Sequence, residues 1–370
     1  MIYGLSRRDL MFSAIAGVAD RCLPAGAEED GRRGLGDIAA GRGILYGSLV
    51  RGTSLRDDRA YADMVARECR LVLSLLEMRW SAVAPQPGVT DLAAADAVCS
   101  WATAHDMRIH GHPLVWHEQL PNWFTDIRGR AAAVGALERH VRTMCRHFAG
   151  RIGAWYVVNE AISTSSGRSD NLRQTPLIEQ IGPDFLDIAF RAARESDGGA
   201  MLVYNEAGLE LDLPWHGDRR AAVLALVDGF RKRGTPIDAV GIQSHLRTDQ
   251  MANFDPRLFH DFLHELEARG LAILITELDV LDQYAPADIA SRDAEVAAAY
   301  RRYLATALDN RAMRTVITWG LTDRDSWLTE WPQFKRPDNL PGRPLPFDTE
   351  YAPTPAYAAI ASALGAAPCR

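Results

Sequence analysis

The chain has 370 residues, of which 47% are hydrophobic and 24% are charged, and its formal net charge at pH 7 is -7. This composition is typical of a soluble globular protein with a large core, and an acidic chain without a dense basic cluster is not expected to bind nucleic acid. The five cysteines are widely spaced and contain no C-x-x-C pair, so they give neither a metal signature nor a disulfide framework.

The first 27 residues contain the features of an export signal in the right order. Arg7-Arg8 precede the small apolar run LMFSAIAGVA, and Ala25-Gly26-Ala27 then offers a cleavage site. We therefore expect export by the twin-arginine route, to the periplasm or the extracellular space. Residues 28–42, rich in charge and glycine, are predicted to be a flexible lead-in. No other run approaches the roughly 18 apolar residues of a membrane span, so none is expected.

From residue 43 onward, short β-rich runs alternate with longer stretches of helical periodicity. Apolar residues recur every three or four positions in the stretches 131–149, 184–196, 217–233, 256–269 and 292–309. The eight β-rich runs are 43–50, 70–76, 107–115, 154–160, 201–206, 239–245, 272–279 and 315–320. Strands that alternate with helices predict a parallel sheet, and eight strands close a barrel. We therefore predict an α/β fold, a single (β/α)8 TIM barrel over residues 43–365.

The ends of these predicted strands carry polar and aromatic side chains, and strand ends are where such barrels place their chemistry. The fourth run ends in Asn159-Glu160 and the seventh contains Glu277. Because an unpaired buried carboxylate is costly, each must be paired, hydrated or used. The other polar and aromatic residues at or just beyond strand ends are His110, His112, Trp116, His117, Asn205, Glu206, Gln243, His245, Asp279, Trp319, Asp323 and Trp327.

This set of residues indicates sugar chemistry. Indoles offer flat apolar surface to the C–H faces of sugar rings, while Asn, Gln and His side chains hydrogen-bond the hydroxyls. Glycoside cleavage needs one protonated acid and one carboxylate, and Glu160 and Glu277 fit as that pair. The chain has no glycine-rich phosphate loop, and His112 and His117 lack the spacing of a metal-binding pair. Neither nucleotide chemistry nor a catalytic metal is therefore expected.

From approximately residue 44 to residue 360, the chain resembles family-10 glycoside hydrolases, the endo-β-1,4-xylanase family. The segments that carry the resemblance are GHPLVWHEQLPNWF, VVNEA, GIQSHL, ITELDV and TWGLTDRDSWL. The resemblance implies a retaining enzyme that hydrolyses internal bonds of xylan or xylo-oligosaccharides by double displacement, without metal or organic cofactor. We further expect the protein to be a monomer.

The resemblance also implies roles for individual residues. Glu160 resembles the general acid/base, Glu277 the nucleophile, and Asn159 the amide that binds the 2-hydroxyl of the sugar under attack. The remaining substrate-binding residues implied in this way are His112, Trp116, Gln243 and His245 around the cleavage subsite, Trp319 and Trp327 as its indole floor and wall, and Arg79 in place of a sugar-binding lysine.

Four positions depart from the family pattern. Leu75-Leu76 stand where the family has a Glu-Asn pair that holds the sugar on the non-reducing side, and Ala207 replaces a tyrosine near both carboxylates. Each lost hydrogen-bonding group is expected to cost bound substrate about 1 kcal/mol or more. Tyr156 replaces the aspartate that hydrogen-bonds the strand-six histidine. We therefore expect His245 to lack its carboxylate partner and to be less readily protonated.

The alternation of side chains along a strand also predicts where the fourth run points. Successive side chains lie on opposite faces, so Tyr156, Val158 and Glu160 are expected to share the face that looks into the barrel.

The departures leave three hypotheses open. The first is an active endo-xylanase with altered subsites. The second is a degenerate barrel that binds β-linked polysaccharide with little turnover, and the third is a related β-glycanase that prefers glucan or mannan. Because lost outlying contacts usually reduce rate and affinity while the carboxylate pair carries the reaction, the sequence favours the first.

Overall fold

The computed structural model describes residues 33–74 and 76–370. The predicted export signal and Leu75 therefore lie outside the described residues. Within them, no helix combines the length and the hydropathy that crossing a membrane requires.

The folded part of the chain begins earlier than the predicted boundary at residue 43. Helix α1 (Leu35–Ala40) lies inside the segment that the sequence predicts to be a flexible lead-in. Leu35 and Ala39 are fully buried, and the Leu35 N–H donates to the Glu68 carboxylate at 3.1 Å. These contacts correct the prediction for residues 35–40, because apolar burial and a paired buried carboxylate hold the helix against the barrel.

Ten strands are found within the described residues. They are β1 (Leu45–Val50), β2 (Leu71–Ser74), β3 (Arg108–Gly111), β4 (Val115–Trp116), β5 (Ala154–Asn159), β6 (Met201–Glu206), β7 (Ala239–Ile242), β8 (His245–Arg247), β9 (Ala272–Leu281) and β10 (Met313–Thr318). Eight of them close a parallel barrel in the order β1–β2–β3–β5–β6–β7–β9–β10, and β10 pairs back to β1. The short strands β4 and β8 pair with β5 and β9. The predicted TIM barrel is confirmed.

Helices surround this barrel. After α1 they are α2 (Gly52–Asp57), α3 (Arg59–Glu68), α4 (Trp80–Val83), α5 (Ala93–Ala104), α6 (Asn122–Thr125), α7 (Arg130–His147), α8 (Pro176–Gln180), α9 (Phe185–Ser196), α10 (Pro214–Arg233), α11 (Pro256–Ala268), α12 (Ile289–Ala307), α13 (Trp327–Glu330) and α14 (Pro355–Ala366). Among the described residues, 3₁₀ turns cover His117–Gln119, Thr248–Asn253, Asp323–Asp325 and Pro332–Phe334. The five helices predicted from periodicity are present as α7, α9, α10, α11 and α12, because each buries an apolar stripe against the sheet.

Strand β5 departs from strict alternation. Tyr156 packs inside the barrel, whereas Trp155, Val157 and Val158 all belong to the outer core between the strands and the helices. The pairing of β5 with β6 shifts register between Tyr156 and Val158, and this irregularity places two successive side chains on the outer side. The expectation that Tyr156, Val158 and Glu160 share one face is therefore wrong for Val158.

The residue that follows β5 then turns sharply. Glu160 has a φ of 55°, in the left-handed region that non-glycine residues rarely adopt, and its N–H donates to the Asn205 carbonyl at 3.0 Å. Such conformations persist only where surrounding contacts enforce them, and they cluster at functional sites. The turn brings the Glu160 carboxylate to the mouth of the barrel.

Candidate active site

Two carboxylates at the barrel mouth are joined by a chain of amide hydrogen bonds. The Asn205 amide nitrogen donates to Glu277 Oε1 at 2.7 Å and to Asn159 Oδ1 at 2.9 Å. The Gln243 amide nitrogen lies 3.3 Å from the same Asn159 oxygen and donates to Glu160 Oε1 at 2.8 Å. Four strands or their ends supply these groups, so the barrel itself fixes the relative positions of Glu160 and Glu277.

Asn205 lies near the end of β6, where the sequence predicts it, but the sequence alone indicates no function for it. Its carbonyl oxygen accepts from Thr276 Oγ1 at 2.7 Å, which orients the amide so that its nitrogen faces both Glu277 and Asn159. A Cβ at Gly241 would lie 2.3 Å from that oxygen, so this strand position requires glycine. One sequence pattern could have indicated this role. The amide-carboxylate pair Asn205-Glu206 repeats the Asn159-Glu160 pair of the neighbouring strand.

Glu277 is buried and held in its ionised form. The His245 Nε2 atom lies 3.2 Å from Oε2, and His112 Nε2 lies 3.3 Å from Oε1, within ion-pair range but not aligned as a hydrogen bond. Burial acts to raise the pKa of Glu277, but the His112 and His245 imidazoles outweigh burial and lower the pKa to about 2. A carboxylate that stays charged at neutral pH has the protonation state that a nucleophile needs.

His245 has a carboxylate partner after all. Its Nδ1 atom lies 2.9 Å from Asp279 Oδ1, and the other oxygen of Asp279 accepts from the Trp327 indole at 2.7 Å. Burial acts to lower the pKa of His245, but Asp279 and Glu277 raise it well above its usual value. The expectation that His245 is less readily protonated is therefore wrong. Asp279 is two positions after Glu277 on β9, so both carboxylates lie on the same side of the strand.

Glu160 is surrounded by donors. The Trp116 indole donates to its Oε2 atom at 3.1 Å, and the Asn159 amide lies 3.3 Å from Oε1 together with the amide of Gln243. The Arg173 guanidinium holds the Glu160 backbone carbonyl at 3.0 Å, which supports the left-handed turn. These contacts orient the carboxylate but leave it half-buried at the mouth.

Two further carboxyl groups neighbour Glu160. Glu206 is fully buried and accepts from the Tyr204 hydroxyl at 2.6 Å and from the Ile162 N–H at 3.1 Å, and burial raises its pKa to about 7. Glu118 is half-exposed, and burial together with the charge of Glu160 raises its pKa. The ligand atoms of His117, Glu118 and Glu160 lie within 4.8 Å of one another, close enough to share hydrogen-bond partners at the mouth.

The predicted aromatic wall is assembled around His245 and His112. Trp319 meets His112 edge-on with ring centroids 5.4 Å apart, and Trp327 lies 5.0 Å from the ring of His245. The Arg79 guanidinium lies over the Trp116 ring at 5.6 Å, which places it beside the residues that contact Glu160. The structure thus brings all the predicted substrate-binding residues to one mouth.

The segment after β2 offers an apolar side chain at its surface and no free carboxylate from Glu77. Leu76 is 47% exposed. Glu77 accepts from the Gly52 N–H at 2.8 Å and from the Ser74 hydroxyl at 2.5 Å, so its carboxylate is occupied by the start of α2 and the end of β2. Glu77 therefore does not replace the hydrogen-bonding groups that the sequence lacks at Leu75-Leu76.

Tyr156 lies on the floor of the barrel and is fully buried. Its hydroxyl lies 3.3 Å from His110 Nδ1, and its ring meets His112 edge-on at 5.1 Å. Tyr156 thus supports His112, the second imidazole beside Glu277, while Asp279 orients His245.

A closed parallel barrel whose mouth holds two carboxylates linked by amides is the arrangement of a glycoside hydrolase. The sequence profile of glycosyl hydrolase family 10 matches residues 34–363, and the chain belongs to this family.

Proteins that are similar to this chain in sequence or structure support this membership. Endo-1,4-beta-xylanase B of Thermotoga neapolitana is 33% identical over 315 residues, which are 83% of this chain and 84% of that protein. Endo-1,4-beta-xylanase 5 of Pyricularia oryzae is 32% identical over 348 residues, 91% of this chain and 80% of that protein. The crystal structure of xylanase 10B from Thermotoga petrophila in complex with xylobiose superposes with a TM-score of 0.81 at 29% identity, covering 92% of this chain and 98% of that one.

Replacing Asp279 with Asn tests the charge of His245. Pairing with Asp279 raises the pKa of His245, so this pairing stabilises the fold fully below the ordinary histidine pKa. The stabilisation is lost as the pH rises through the folded-state pKa of His245. Asp279→Asn should therefore lower the free energy of unfolding by about 2 kcal/mol at pH about 6 and by less at pH about 9. NMR titration of the imidazole should show a lower pKa for His245. Asp249→Asn, at an exposed carboxylate beside Arg247, is the control. An unchanged His245 titration would contradict the pairing.

Replacing Tyr156 with Asp tests whether His245 needs a second carboxylate. We expect lower stability, by about 3 kcal/mol or more, and a lower kcat, because the new carboxylate would be buried close to the negative charge of Glu277. Tyr156→Phe should cost only about 1 kcal/mol, since it removes one hydrogen bond to His110. Thermal unfolding and kcat on an aryl xylobioside measure both variants. A folded Tyr156→Asp protein with a higher kcat would show that Asp279 does not suffice.

Proposed function

We propose that the protein is a retaining endo-β-1,4-xylanase that hydrolyses internal bonds of xylan or xylo-oligosaccharides. The observation that carries this proposal is the pair of Glu160 and Glu277 at the mouth of a family-10 barrel, joined through Asn205, Asn159 and Gln243. The names of the similar proteins support the choice of substrate, as does the xylobiose bound by one of them.

In the first step, a Glu277 oxygen attacks the anomeric carbon while Glu160 gives its proton to the glycosidic oxygen. The bond from that carbon to the oxygen breaks, and the leaving sugar departs with the proton. The ionised Glu277 is ready for this attack because the two imidazoles beside it stabilise its charge. The product of the step is a covalent glycosyl-enzyme.

In the second step, water attacks the same carbon and Glu160 accepts its proton. The bond to Glu277 breaks, and the sugar is released with the configuration it had in the substrate. We assign substrate binding to His112, Trp116, Gln243, His245, Trp319, Trp327 and Arg79, and we assign the contact with the 2-hydroxyl to Asn159. The indoles supply apolar surface for sugar rings, and the polar groups supply hydrogen bonds.

The exposed Leu76 and the already bonded carboxylate of Glu77 favour a xylanase that binds the sugar on the non-reducing side more weakly. The sugar on the non-reducing side loses polar partners next to the cleavage site, so we expect a raised KM on short xylo-oligosaccharides. A panel of aryl β-xylobioside, β-xyloside, β-cellobioside and β-mannoside identifies the preferred sugar. Turnover on none of the four would favour a barrel that binds polysaccharide without cleaving it.

Two alanine variants separate the roles of the carboxylates. Glu277→Ala should abolish turnover, and azide should restore it with an α-configured glycosyl azide as product. Glu160→Ala should retain most of its rate on dinitrophenyl glycosides, because a good leaving group needs little protonation. Glu179→Ala, at an exposed position on α8, is the control.

Two observations would contradict this assignment. One is an equal loss of rate on good and poor leaving groups in Glu160→Ala. The other is a separation of the two carboxyl groups well beyond roughly 5–5.5 Å in a crystal structure, since a retaining enzyme needs the shorter spacing.

We also propose that the protein is exported and acts as a monomer. The twin-arginine pair and the apolar run that follows it support export, and the site residues named above all come from one chain. Replacing Arg7-Arg8 with Lys-Lys should keep the protein in the cytoplasm, because twin-arginine transport reads the arginine pair. Cell fractionation followed by an activity assay measures the change. Unchanged export in the double variant would point to the general secretory route.

A further inference from the structure

A pair of histidines lies on the outer surface of the barrel, on helix α11. His260 and His264 are four residues apart, so their side chains share one face of the helix. Their Nε2 atoms are 3.1 Å apart, and both side chains are at least one-third exposed. The pair lies beside the connection from α12 to β10, at the opposite end of the barrel from the mouth.

The separation of the two nitrogens matches the spacing of two ligands on one metal ion. A zinc–imidazole bond is about 2.0–2.1 Å long. When the N–Zn–N angle lies between a right angle and the tetrahedral angle, the two bound nitrogens are roughly 2.9–3.4 Å apart. A hydrogen bond between the rings gives a similar distance. The spacing therefore needs support from the groups around the rings.

That support comes from a carboxylate behind one of the rings. Glu267 Oε2 lies 2.9 Å from His264 Nδ1 and also accepts from the Asn310 amide at 3.1 Å. A carboxylate in this position keeps the proton on Nδ1 and leaves the lone pair of Nε2 directed at His260. Metal-binding histidines nearly always have such a partner on their second nitrogen, because it fixes the tautomer and raises the basicity of the ligand.

A third ligand stands nearby. Asp309 Oδ2 is 3.9 Å from His260 Nε2 but lies farther from His264, and its side chain is 67% exposed, so the carboxylate has to rotate toward the pair to join an ion held by the two rings. Asp261 adds a second negative charge 3.9 Å from His260 Nδ1. These two carboxylates favour a cation at the pair, with the Arg370 guanidinium near Asp309 as a competing positive charge, and the exposure of the rings leaves a path for entry.

We propose that His260, His264 and Asp309 form a binding site for a first-row divalent transition-metal ion, Zn²⁺ or Cu²⁺, with water as the remaining ligand. Imidazole nitrogens select these ions over Mg²⁺ and Ca²⁺, which prefer oxygen ligands. The ion joins helix α11 to the connection that enters β10. Because the unfolded chain does not hold the three ligands together, binding stabilises the fold by mass action. The site takes no part in the proposed hydrolysis.

Titration calorimetry and thermal unfolding of the purified protein, with Zn²⁺, Cu²⁺ and Mg²⁺ as probes, test the site. We expect one Zn²⁺ or Cu²⁺ per chain and a rise in Tm, with no effect of Mg²⁺. His264→Gln should abolish both signals without changing hydrolysis, and the exposed position makes misfolding of this variant no concern. Glu267→Gln should weaken binding about tenfold, since it removes only the support of His264. His105→Gln, at an exposed imidazole after α5, is the matched control.

The cluster of His117, Glu118 and Glu160 at the mouth is the competing place for an ion. A His117→Gln variant separates the two, since an ion at the mouth would also inhibit hydrolysis. Binding that survives in His117→Gln and disappears in His264→Gln supports the surface site. Binding that survives in His264→Gln, or no binding of either transition metal to the intact protein, overturns it.

Discussion

The charge of one buried carboxylate governs the whole mouth of this barrel. Glu277 lies inside the protein, where an ionised group without partners would be unstable. Its stability depends on Asn205, His245 and His112, which come from three different parts of the barrel. The same groups then hold the rest of the site, because Asn205 also holds Asn159 and His245 also holds Asp279. Compensation of one charge thus orders the proposed catalytic residues relative to one another.

This dependence explains why the chain tolerates its departures on the barrel floor. The aspartate that the family pattern has at position 156 is absent, yet His245 keeps a carboxylate partner because Asp279 lies two residues beyond Glu277. Tyr156 fills the vacated space and supports His112 from below. The segment after β2 has no such replacement, since Glu77 bonds to Gly52 and Ser74. We therefore expect the departures at Leu75 and Leu76 to affect the proposed substrate binding rather than the geometry of the carboxylate pair.

The two ends of the barrel have different tasks. The mouth holds groups that backbone strain or burial makes costly, such as the left-handed Glu160 and the buried Glu206. The opposite end connects helices to the starts of strands, and its buried carboxylate Glu68 is paired with the Leu35 N–H. A metal ion bound by His260 and His264 would stabilise that end without touching the reaction.

The sequence by itself determined the features that depend on local patterns. Apolar periodicity predicted helices α7, α9, α10, α11 and α12, and the alternation of strands and helices predicted the closed barrel with Glu160 and Glu277 toward the ends of its strands. Tertiary structure decided what depends on contacts between distant residues. The pairing of His245 with Asp279, the role of Asn205 and the burial of helix α1 each need partners that the order of residues does not reveal. The position of Glu160 was also decided there, because a register shift in β5 and a left-handed turn override simple alternation along the strand.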